Sequence, residues 1–433
     1  MTVFWKFPKG LFFSFGIALA VVYTCFLLVI PFNDHIPGFL AIYAVLILLS
    51  VIMAAWLKKN EVPSSRWIIF AFAVLFRLTL LWTPPMSTDI YRYVWDGRVQ
   101  QAGINPYLHS PLAPELKFLR DDLHSSINHP GLSTIYPPLA QWTFRLGAAI
   151  APTVFVQKII FTLFDLAAVW VLLMLLELKR ISPAWGAVYA WHPLVIVEFA
   201  GSGHLDSLMI FLMIVSLYLL ERKKMIPATI ALAGAALSKI APLSMVPWLL
   251  MQKNKRLLAI YGLVIIAACL PFARGLLEMA SRGEPVFAGF SAFAKDWTFN
   301  SSLYALLGLA IPSMTIRKSI LALGLASFSF YWARRNREDS MRYAFGCFYA
   351  LLLCSSIVEP WYITWLIPFL SFYPLWSALA WSWLAGFAYV VADRHYVLWA
   401  WIWVAQYILV YALLAIEIIR APKAKGPCNI IRS

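Results

Sequence analysis

Apolar runs separated by short polar stretches fill most of the chain. A helix needs about 20 apolar residues to cross a bilayer, and a run interrupted by proline forms a shorter or broken helix. The pattern predicts an all-α polytopic membrane protein with roughly 12–14 membrane-embedded segments in one integral domain over residues 1–433. The predicted segments are residues 11–30, 38–57, 67–82, 136–151, 154–178, 183–199, 207–220, a hairpin at 227–251, 257–271, one or two pieces within 301–331, 343–358, 363–372, 374–391 and 396–419.

Composition agrees with this pattern. Hydrophobic residues make up 62% and charged residues 13% of the chain, which excludes an ordinary soluble protein. The first apolar run follows Lys6 and Lys9 and has no small-residue cleavage site after it, so we expect an uncleaved first helix. The five cysteines are scattered without CxxC spacing, which predicts neither a disulfide framework nor a zinc site.

The basic residues predict the orientation of the chain in the membrane. Cytoplasmic loops of membrane proteins are rich in Lys and Arg, so a net charge of +15 does not by itself indicate a nucleic-acid partner. The basic clusters lie at residues 58–59, 179–180, 222–224, 253–256, 334–337 and 420–432. They predict cytoplasmic N- and C-termini, a main extracytoplasmic loop at residues 83–135 and a second external loop at residues 272–300.

The polar stretch at residues 84–107 carries carboxylates, cations and aromatic rings directly after an apolar run. Two prolines end the run, a Ser-Thr pair can cap a new helix and a glycine can end it, which predicts an interfacial helix of about four turns. Asp89, Arg92 and Asp96 share one face of this helix, at i, i+3 and i+7, and can hold a charged or sugar-like ligand. The alternative is an exposed Arg92–Asp96 pair without a chemical role.

Lys239 lies in an apolar stretch, where an ionised side chain is costly unless it meets water or an anion. Basic residues flank both ends of residues 227–251, so we predict two half-helices with Lys239 at their outward tip. A phosphate group is the favoured partner of this lysine. The alternative is a lysine that extends to the membrane interface.

Two further clusters carry polar side chains. His204 and Asp206 follow a glycine-rich turn and can point into one cavity, unless Asp206 caps the next helix and His204 is structural. Glu359 and Tyr362 belong to the sequence EPWY, which suits either a sugar-binding platform or anchoring at the membrane interface. The chain contains no GxxxxGK[ST] loop, GxSxG elbow or zinc-ligand spacing, so an ATP-driven pump and a serine hydrolase are poorly supported.

Taken together, these motifs resemble the bacterial polyprenol-phosphate-mannose-dependent mannosyltransferases of the GT-C superfamily. The motifs are STDIYRYVWDGR at 87–98, GINPY at 103–107, IYPP at 135–138, GHLD at 203–206, the Lys239 segment and PWY at 360–362, so the resemblance covers about residues 66–420. It implies a GT-C-type helical bundle with interfacial helices in its external loops. In this chain two predicted spans precede the one that leads to Asp89, whereas many relatives have one.

The resemblance also implies an activity. Such enzymes take a sugar from a polyprenyl-phosphate carrier and add it to a lipid-linked or cell-envelope glycan outside the bacterial inner membrane, as a rule without a metal or other cofactor. Asp89 matches the aspartate that deprotonates the acceptor, and Lys239 matches a lysine that contacts the donor phosphate. Mannose as the sugar comes from the resemblance alone.

Residue chemistry supports an inverting displacement in which Asp89 is the base and Lys239, with Arg92 or His204, stabilises the phosphate leaving group. The other residues expected to bind or orient donor or acceptor are Asp96, Tyr136, Asp206, Glu359 and Tyr362. The alternative is a transporter or flippase of a lipid-linked sugar, but the chain shows no evident inverted repeat.

Overall fold

The computed structural model describes residues 7–62, 65–281, 283, 288–393 and 396–420. Within these residues the chain forms helices and turns, with one isolated bridge between Phe299 and Ile357 and no β-strand, which confirms the all-α prediction. Lys6, Cys428 and most of the basic C-terminal tail lie outside the described residues.

Membrane-spanning helices are present, as predicted. In the described part of the chain five helices are long and apolar enough to cross a bilayer, and a bent pair, Pro193–Gly201 with Asp206–Glu221, adds a sixth if it is counted as one span. The five are Gly10–Val29, Ile36–Lys59, Val154–Leu178, Lys255–Ser281 and Val397–Arg420. The chain is therefore a polytopic membrane protein. The count of 12–14 embedded segments depends on shorter helices and stays a prediction.

Contacts between Cα atoms divide the chain into two compact units, and the first comprises residues 1–79, 172–196 and 358–433. Trp191 lies at the centre of its core, where its ring stacks on Phe12 at 4.9 Å and its Nε1 donates to the Ile69 carbonyl at 3.0 Å. The helices assigned wholly or mainly to this unit are Phe7–Cys25, Phe26–Val29, Phe32–Asp34, Ile36–Lys59, Arg66–Leu81, Pro183–Gly186, Ala187–Ala190, Pro193–Ile196, Pro360–Ile363, Ile367–Leu370, Trp376–Leu384, Ala385–Asp393 and Tyr396–Arg420.

The second unit comprises residues 80–171 and 197–357 and contains most of the predicted site residues. Its helices are Asp89–Gln101, Pro114–Leu119, Asp122–Ser125, Pro138–Ile150, Val154–Leu178, Val197–Gly201, Asp206–Glu221, Met225–Ser238, Ala241–Met245, Val246–Met251, Lys255–Ser281, Ala288–Asp296, Leu303–Leu307, Met314–Arg335 and Ser340–Cys354, of which Val154–Leu178 ends in the first unit. The single domain over residues 1–433 stays a prediction.

The predicted short helix forms at Asp89–Gln101, and we call it the Asp89 helix. At its start the Ser87 hydroxyl accepts a hydrogen bond from the Asp89 backbone N–H at 3.3 Å. The helix packs on Pro138–Ile150, the short helix predicted from the apolar run at 136–151. A Cβ atom at Gly97 would lie 2.4 Å from the Phe144 carbonyl oxygen, so glycine permits this close approach.

The stretch predicted as a hairpin at residues 227–251 forms two short helical pieces, as expected, while the outward position of the break between them stays a prediction. Met225–Ser238 ends at Lys239, whose backbone is extended, and helical structure resumes at Ala241. The conformational break is therefore located at the one lysine within this apolar stretch.

The prediction of one continuous segment at residues 183–199 was wrong. The chain there forms three short helices and a π-helical turn, with a break before Pro193. Proline has no backbone N–H to continue the preceding helix. The ring nitrogen Nδ1 of His192 instead accepts a hydrogen bond from the Leu194 backbone N–H at 3.2 Å.

The predicted end of a helix at Pro271 is also wrong, and the external position of residues 272–300 stays a prediction. The helix Lys255–Ser281 continues through Pro271, and a second helix forms at Ala288–Asp296. A proline removes one backbone hydrogen bond and can leave a kinked helix intact, so it does not always end one. The 27-residue helix is about 40 Å long, which exceeds the thickness of the hydrocarbon core.

Candidate active site

Asp89 is partly buried at the first position of the Asp89 helix. The side-chain amide of Asn128 donates a hydrogen bond to its Oδ1 atom at 2.7 Å. Burial raises the pKa of the Asp89 carboxyl above its ordinary value, against the hydrogen bond from Asn128 and the positive charge of Lys239, which lower it. A carboxylate with a raised pKa is a stronger base than an exposed aspartate, and a fixed orientation directs it at its substrate.

Lys239 and Asp206 form an ion pair in the same compact unit. The Lys239 ammonium donates to both carboxylate oxygens of Asp206, at 2.7 and 2.9 Å. Asp206 is fully buried, whereas 16% of the Lys239 side chain is exposed. Both charges act on the pKa of Asp89, so the three side chains belong to one electrostatic cluster. A lysine oriented in this way can meet an anion from its exposed side.

The turn at residues 201–206 brings this cluster against the Asp89 helix. Gly203 has a φ of +77°, and a Cβ atom there would lie 2.3 Å from the Cδ1 atom of Ile90. Only glycine meets both requirements without strain. Asp206 is the first residue of the next helix but its carboxylate is bound by Lys239, which differs from the predicted alternative of a capping aspartate.

His204 is fully buried beside an acid that the sequence analysis missed. Its Nε2 atom lies 3.4 Å from Oε2 of Glu198, and its backbone N–H donates to the Glu198 carbonyl at 3.0 Å. Both side chains are 1% exposed or less. The available signal was a carboxylate inside an apolar run, where an unpartnered acid is costly. The predicted contact of His204 with a phosphate stays a prediction.

Arg92 and Asp96 form the predicted i, i+4 pair, in which Nε of Arg92 lies 2.8 Å from Oδ1 of Asp96. Both side chains are buried, so the alternative of an exposed pair was wrong. Arg92 Nη1 also donates to the Leu132 carbonyl at 2.9 Å, and Gln141 donates to Asp96 at 2.8 Å. The covering helix Pro138–Ile150 supplies Gln141, which the spacing along the Asp89 helix could not indicate. This network joins the Asp89 helix to its neighbours. Binding of substrate by Arg92 or Asp96 stays a prediction.

Tyr136 lies beside the Asp89 helix. Its ring meets the edge of Tyr93 with centroids 5.1 Å apart, and Tyr93 stacks on Phe144 at 4.6 Å. The Tyr107 hydroxyl donates to the Tyr136 carbonyl at 2.7 Å. These contacts fix the segment in which Tyr136 precedes the two prolines of the IYPP motif.

Lys158, another residue that the sequence analysis missed, is 1% exposed. Its ammonium donates to the carbonyls of Leu80 and Thr83 at 3.0 and 2.6 Å. A cation is favourable at a helix C-terminus, so Lys158 stabilises the chain just before the Asp89 helix.

Glu359 and Tyr362 belong to the first compact unit. Glu359 precedes the helix Pro360–Ile363, and Tyr362 stacks on Trp365 with centroids 4.8 Å apart. The aromatic cluster predicted from EPWY therefore exists, and its role in sugar binding stays a prediction. Among the described residues no three His, Cys, Asp or Glu side chains converge as metal ligands.

Comparison with known proteins gives one match to a family model. The MptA_B family, described as alpha-(1->6)-mannopyranosyltransferase, N-terminal domain, matches residues 19–255, which is more than half of the chain. The matched range includes Asp89, Asn128, Asp206 and Lys239. The comparison with curated proteins finds no match.

Proposed function

Because the chain belongs to the MptA_B family of mannosyltransferases, we propose that it transfers mannose from a polyprenyl-phosphate carrier to a hydroxyl group of a lipid-linked or cell-envelope glycan. The observation that supports this most strongly is the cluster around Asp89. A carboxylate oriented by Asn128 lies within electrostatic reach of a partly exposed lysine that Asp206 holds in place. These are the two groups that transfer from a sugar phosphate requires, a base and a cation.

In the proposed reaction the acceptor oxygen attacks the anomeric carbon of the donor. Asp89 takes the proton of the acceptor hydroxyl as the new carbon–oxygen bond forms. The bond between the anomeric carbon and the phosphate oxygen breaks, and its electron pair leaves with the polyprenyl phosphate. Lys239 stabilises the negative charge of that phosphate. The proton on Asp89 is then released to solvent.

Stereochemistry restricts the donor. The family description names an alpha-(1->6) linkage, and a single displacement inverts the anomeric configuration. If this chain forms the same linkage, it consumes a β-linked mannosyl phosphate and transfers to a primary 6-hydroxyl group.

The proposed location is the bacterial inner membrane, with the Asp89 cluster on its external side and both termini in the cytoplasm. The basic clusters at residues 58–59, 179–180 and 222–224 support this orientation. We also propose that transfer needs no metal ion, because Lys239 supplies the positive charge at the leaving group. Undiminished transfer in excess EDTA is the expected result.

The decisive experiment measures transfer of labelled mannose from polyprenyl-phosphate-mannose in membranes that contain the protein. We expect label in a larger glycolipid with the natural chain and a loss of at least 100-fold with Asp89→Asn at equal protein abundance, because the amide cannot accept the proton. The matched control is Asp122→Asn, which changes another aspartate at the start of a short helix in the same polar loop.

Full activity of the Asp89→Asn variant would remove Asp89 as the base. Absence of transfer by the natural chain with this and other lipid-linked sugars would contradict the proposed activity and favour transport of a lipid-linked sugar.

A further inference from the structure

Two polar segments of the second unit meet beside Asp89. The first contains residues 126–135, and the second begins with the helix Ala288–Asp296. The Gly289 backbone N–H donates to the Ser133 hydroxyl at 3.4 Å, and a Cβ atom at Gly289 would lie 2.2 Å from the Ser133 carbonyl oxygen. A side chain larger than hydrogen therefore does not fit at this contact, and the two segments are held closely together.

The second contact between these segments is a pair of rings. The imidazole of His129 lies 4.2 Å from the indole of Trp297 between centroids, with the ring planes at 49°. His129 is exposed and Trp297 is partly exposed. We call these two side chains the ring pair. The ring pair presents aromatic surface to solvent, whereas two rings that only fill a hydrophobic core are buried.

The chain places His129 next to the residue that binds the base. It follows Asn128, which binds the Asp89 carboxylate, and it has a φ of +45°, in the left-handed region. Its carbonyl then accepts a hydrogen bond from the Leu132 N–H at 3.0 Å, which closes a turn. His129 also lowers the pKa of Asp89, although burial is the larger effect and raises it. His129, one member of the ring pair, is therefore within electrostatic reach of the base.

Trp297 directly follows the helix Ala288–Asp296 and is held by it. Its ring meets Phe293 with centroids 5.0 Å apart, and its backbone N–H donates to the Phe293 carbonyl at 3.4 Å. The Lys318 ammonium donates to the carbonyls of Ala294 and Lys295, both at 2.7 Å, and thus occupies the C-terminal end of this helix. An indole held in this way loses little conformational entropy when a ligand stacks on it.

We propose that His129 and Trp297 form the subsite for the acceptor sugar, with a pyranose ring stacked on the exposed aromatic surface and its reacting hydroxyl directed at Asp89. The inference rests on the proposed function, because it assumes that Asp89 deprotonates an acceptor. A hydroxyl must come within about 3 Å of its base, so the acceptor ring has to lie next to the residues that surround Asp89. Rigid aromatic rings with a polar edge suit a ligand that has an apolar face and a rim of hydroxyls.

The test separates the binding of acceptor from the binding of donor. Octyl α-mannoside serves as the acceptor probe, and KM is measured for it and for polyprenyl-phosphate-mannose with Trp297→Ala, Trp297→Phe and His129→Ala. We expect Trp297→Ala to raise KM for octyl α-mannoside about tenfold, with a smaller rise for Trp297→Phe and for His129→Ala. KM for the donor stays within about twofold of the natural value in all three variants, because they leave Lys239 in place. The value of kcat at saturating acceptor stays within about twofold in the two Trp297 variants, because they leave Asp89 and its partners in place. For His129→Ala only the two KM values are compared, because His129 also acts on the pKa of Asp89.

The matched control is Trp82→Ala, since Trp82 is a 72% exposed tryptophan that stacks on Phe155 at 4.4 Å elsewhere in the same unit. It should leave both KM values unchanged. An unchanged acceptor KM for Trp297→Ala, or an equal rise in donor KM, would overturn the subsite. If Trp297→Ala fails to fold, Trp297→Phe and His129→Ala decide the question in the same way.

A direct binding measurement distinguishes failure of this inference from failure of the proposed function. Octyl α-mannoside is titrated calorimetrically into the purified natural chain and into Trp297→Ala. Binding that weakens about tenfold in the variant supports the subsite even if no transfer occurs, whereas equal binding, or none to the natural chain, contradicts it.

Discussion

Two buried ion pairs of the same compact unit differ in how completely the protein encloses them. Arg92 and Asp96 have side-chain exposures of 6% and 2% and are further bonded by the Leu132 carbonyl and by Gln141. In the other pair Asp206 has an exposure of 0%, but Lys239 keeps 16%. The first pair is enclosed, with Arg92 bonded to the Leu132 carbonyl and Asp96 bonded to Gln141. In the second pair the acid is buried and part of the lysine side chain is exposed.

The difference separates an ion pair that holds structure from one that is prepared for an anion. The enclosed guanidinium joins the Asp89 helix to the Leu132 carbonyl, and its partner Asp96 joins the same helix to Gln141 of Pro138–Ile150. A lysine side chain that is 16% exposed and oriented by a buried carboxylate can bind a phosphate without a large rearrangement. Both cations lie in the second unit. The two roles are therefore distinguished by the exposure of each side chain and not by its position in the chain.

The largest expected effect comes from opening the enclosed pair. Arg92→Gln leaves the Asp96 carboxylate buried without its cation, and we expect a loss of about 3–5 kcal/mol in the free energy of unfolding. The double variant Arg92→Gln/Asp96→Asn should recover most of this loss, because two neutral side chains need no charge compensation. The measurement is the unfolding midpoint of the purified protein in detergent.

Asp89→Asn is the control for this prediction, since Asp89 is partly exposed and has no ion-pair partner within hydrogen-bond distance among the described residues. Its stability should stay within about 1 kcal/mol of the natural chain. Equal losses of stability in Arg92→Gln and Asp89→Asn would show that the buried ion pair is no more important for stability than the partly exposed Asp89.

Removing the second pair should affect transfer more than stability. The double variant Asp206→Asn/Lys239→Gln has no uncompensated buried charge, so we expect it to fold, but kcat/KM for the lipid-linked donor should fall about 100-fold because the leaving phosphate loses its cation. Arg92→Gln/Asp96→Asn should keep kcat/KM within about tenfold. Similar losses of transfer in the two double variants would remove the distinction between a structural pair and a phosphate-binding pair.

Sequence reasoning was most accurate where the signals were local. The helix Asp89–Gln101 and the break at Lys239 follow from caps, prolines and a charge in an apolar stretch. Asp89 and Lys239 could be selected for the same reason, because a charged side chain near or within a membrane is costly without a function. The family resemblance was confirmed for mannosyl transfer in general.

Contacts between distant segments could not be predicted. Asn128 reaches Asp89 across 39 residues, and nothing in its neighbourhood distinguishes it from other loop residues. The i, i+4 spacing of Arg92 and Asp96 was correct, but their burial depends on a second helix that covers them. Pro271 was taken as a helix end, although its effect on the backbone depends on the residues that follow.

The smallest of the predicted effects concerns the hydrogen bond between Asn128 and Asp89. Burial raises the pKa of Asp89 and this bond lowers it; a base must be ionised, so kcat/KM falls as the pH drops below that pKa. Asn128→Ala should move this acid limb to higher pH, because it removes a bond that lowers the pKa, while Lys239, Asp206 and His129 still act on the carboxylate. Asn105→Ala, which removes an amide donor to the Phe272 carbonyl, should leave the limb in place.

A limb that moves in neither variant would mean that Asn128 does not tune the base. A limb that moves equally in both would show a general effect of disturbing the polar loop. A shift confined to Asn128→Ala would assign the tuning of the Asp89 base to the hydrogen bond from the Asn128 amide.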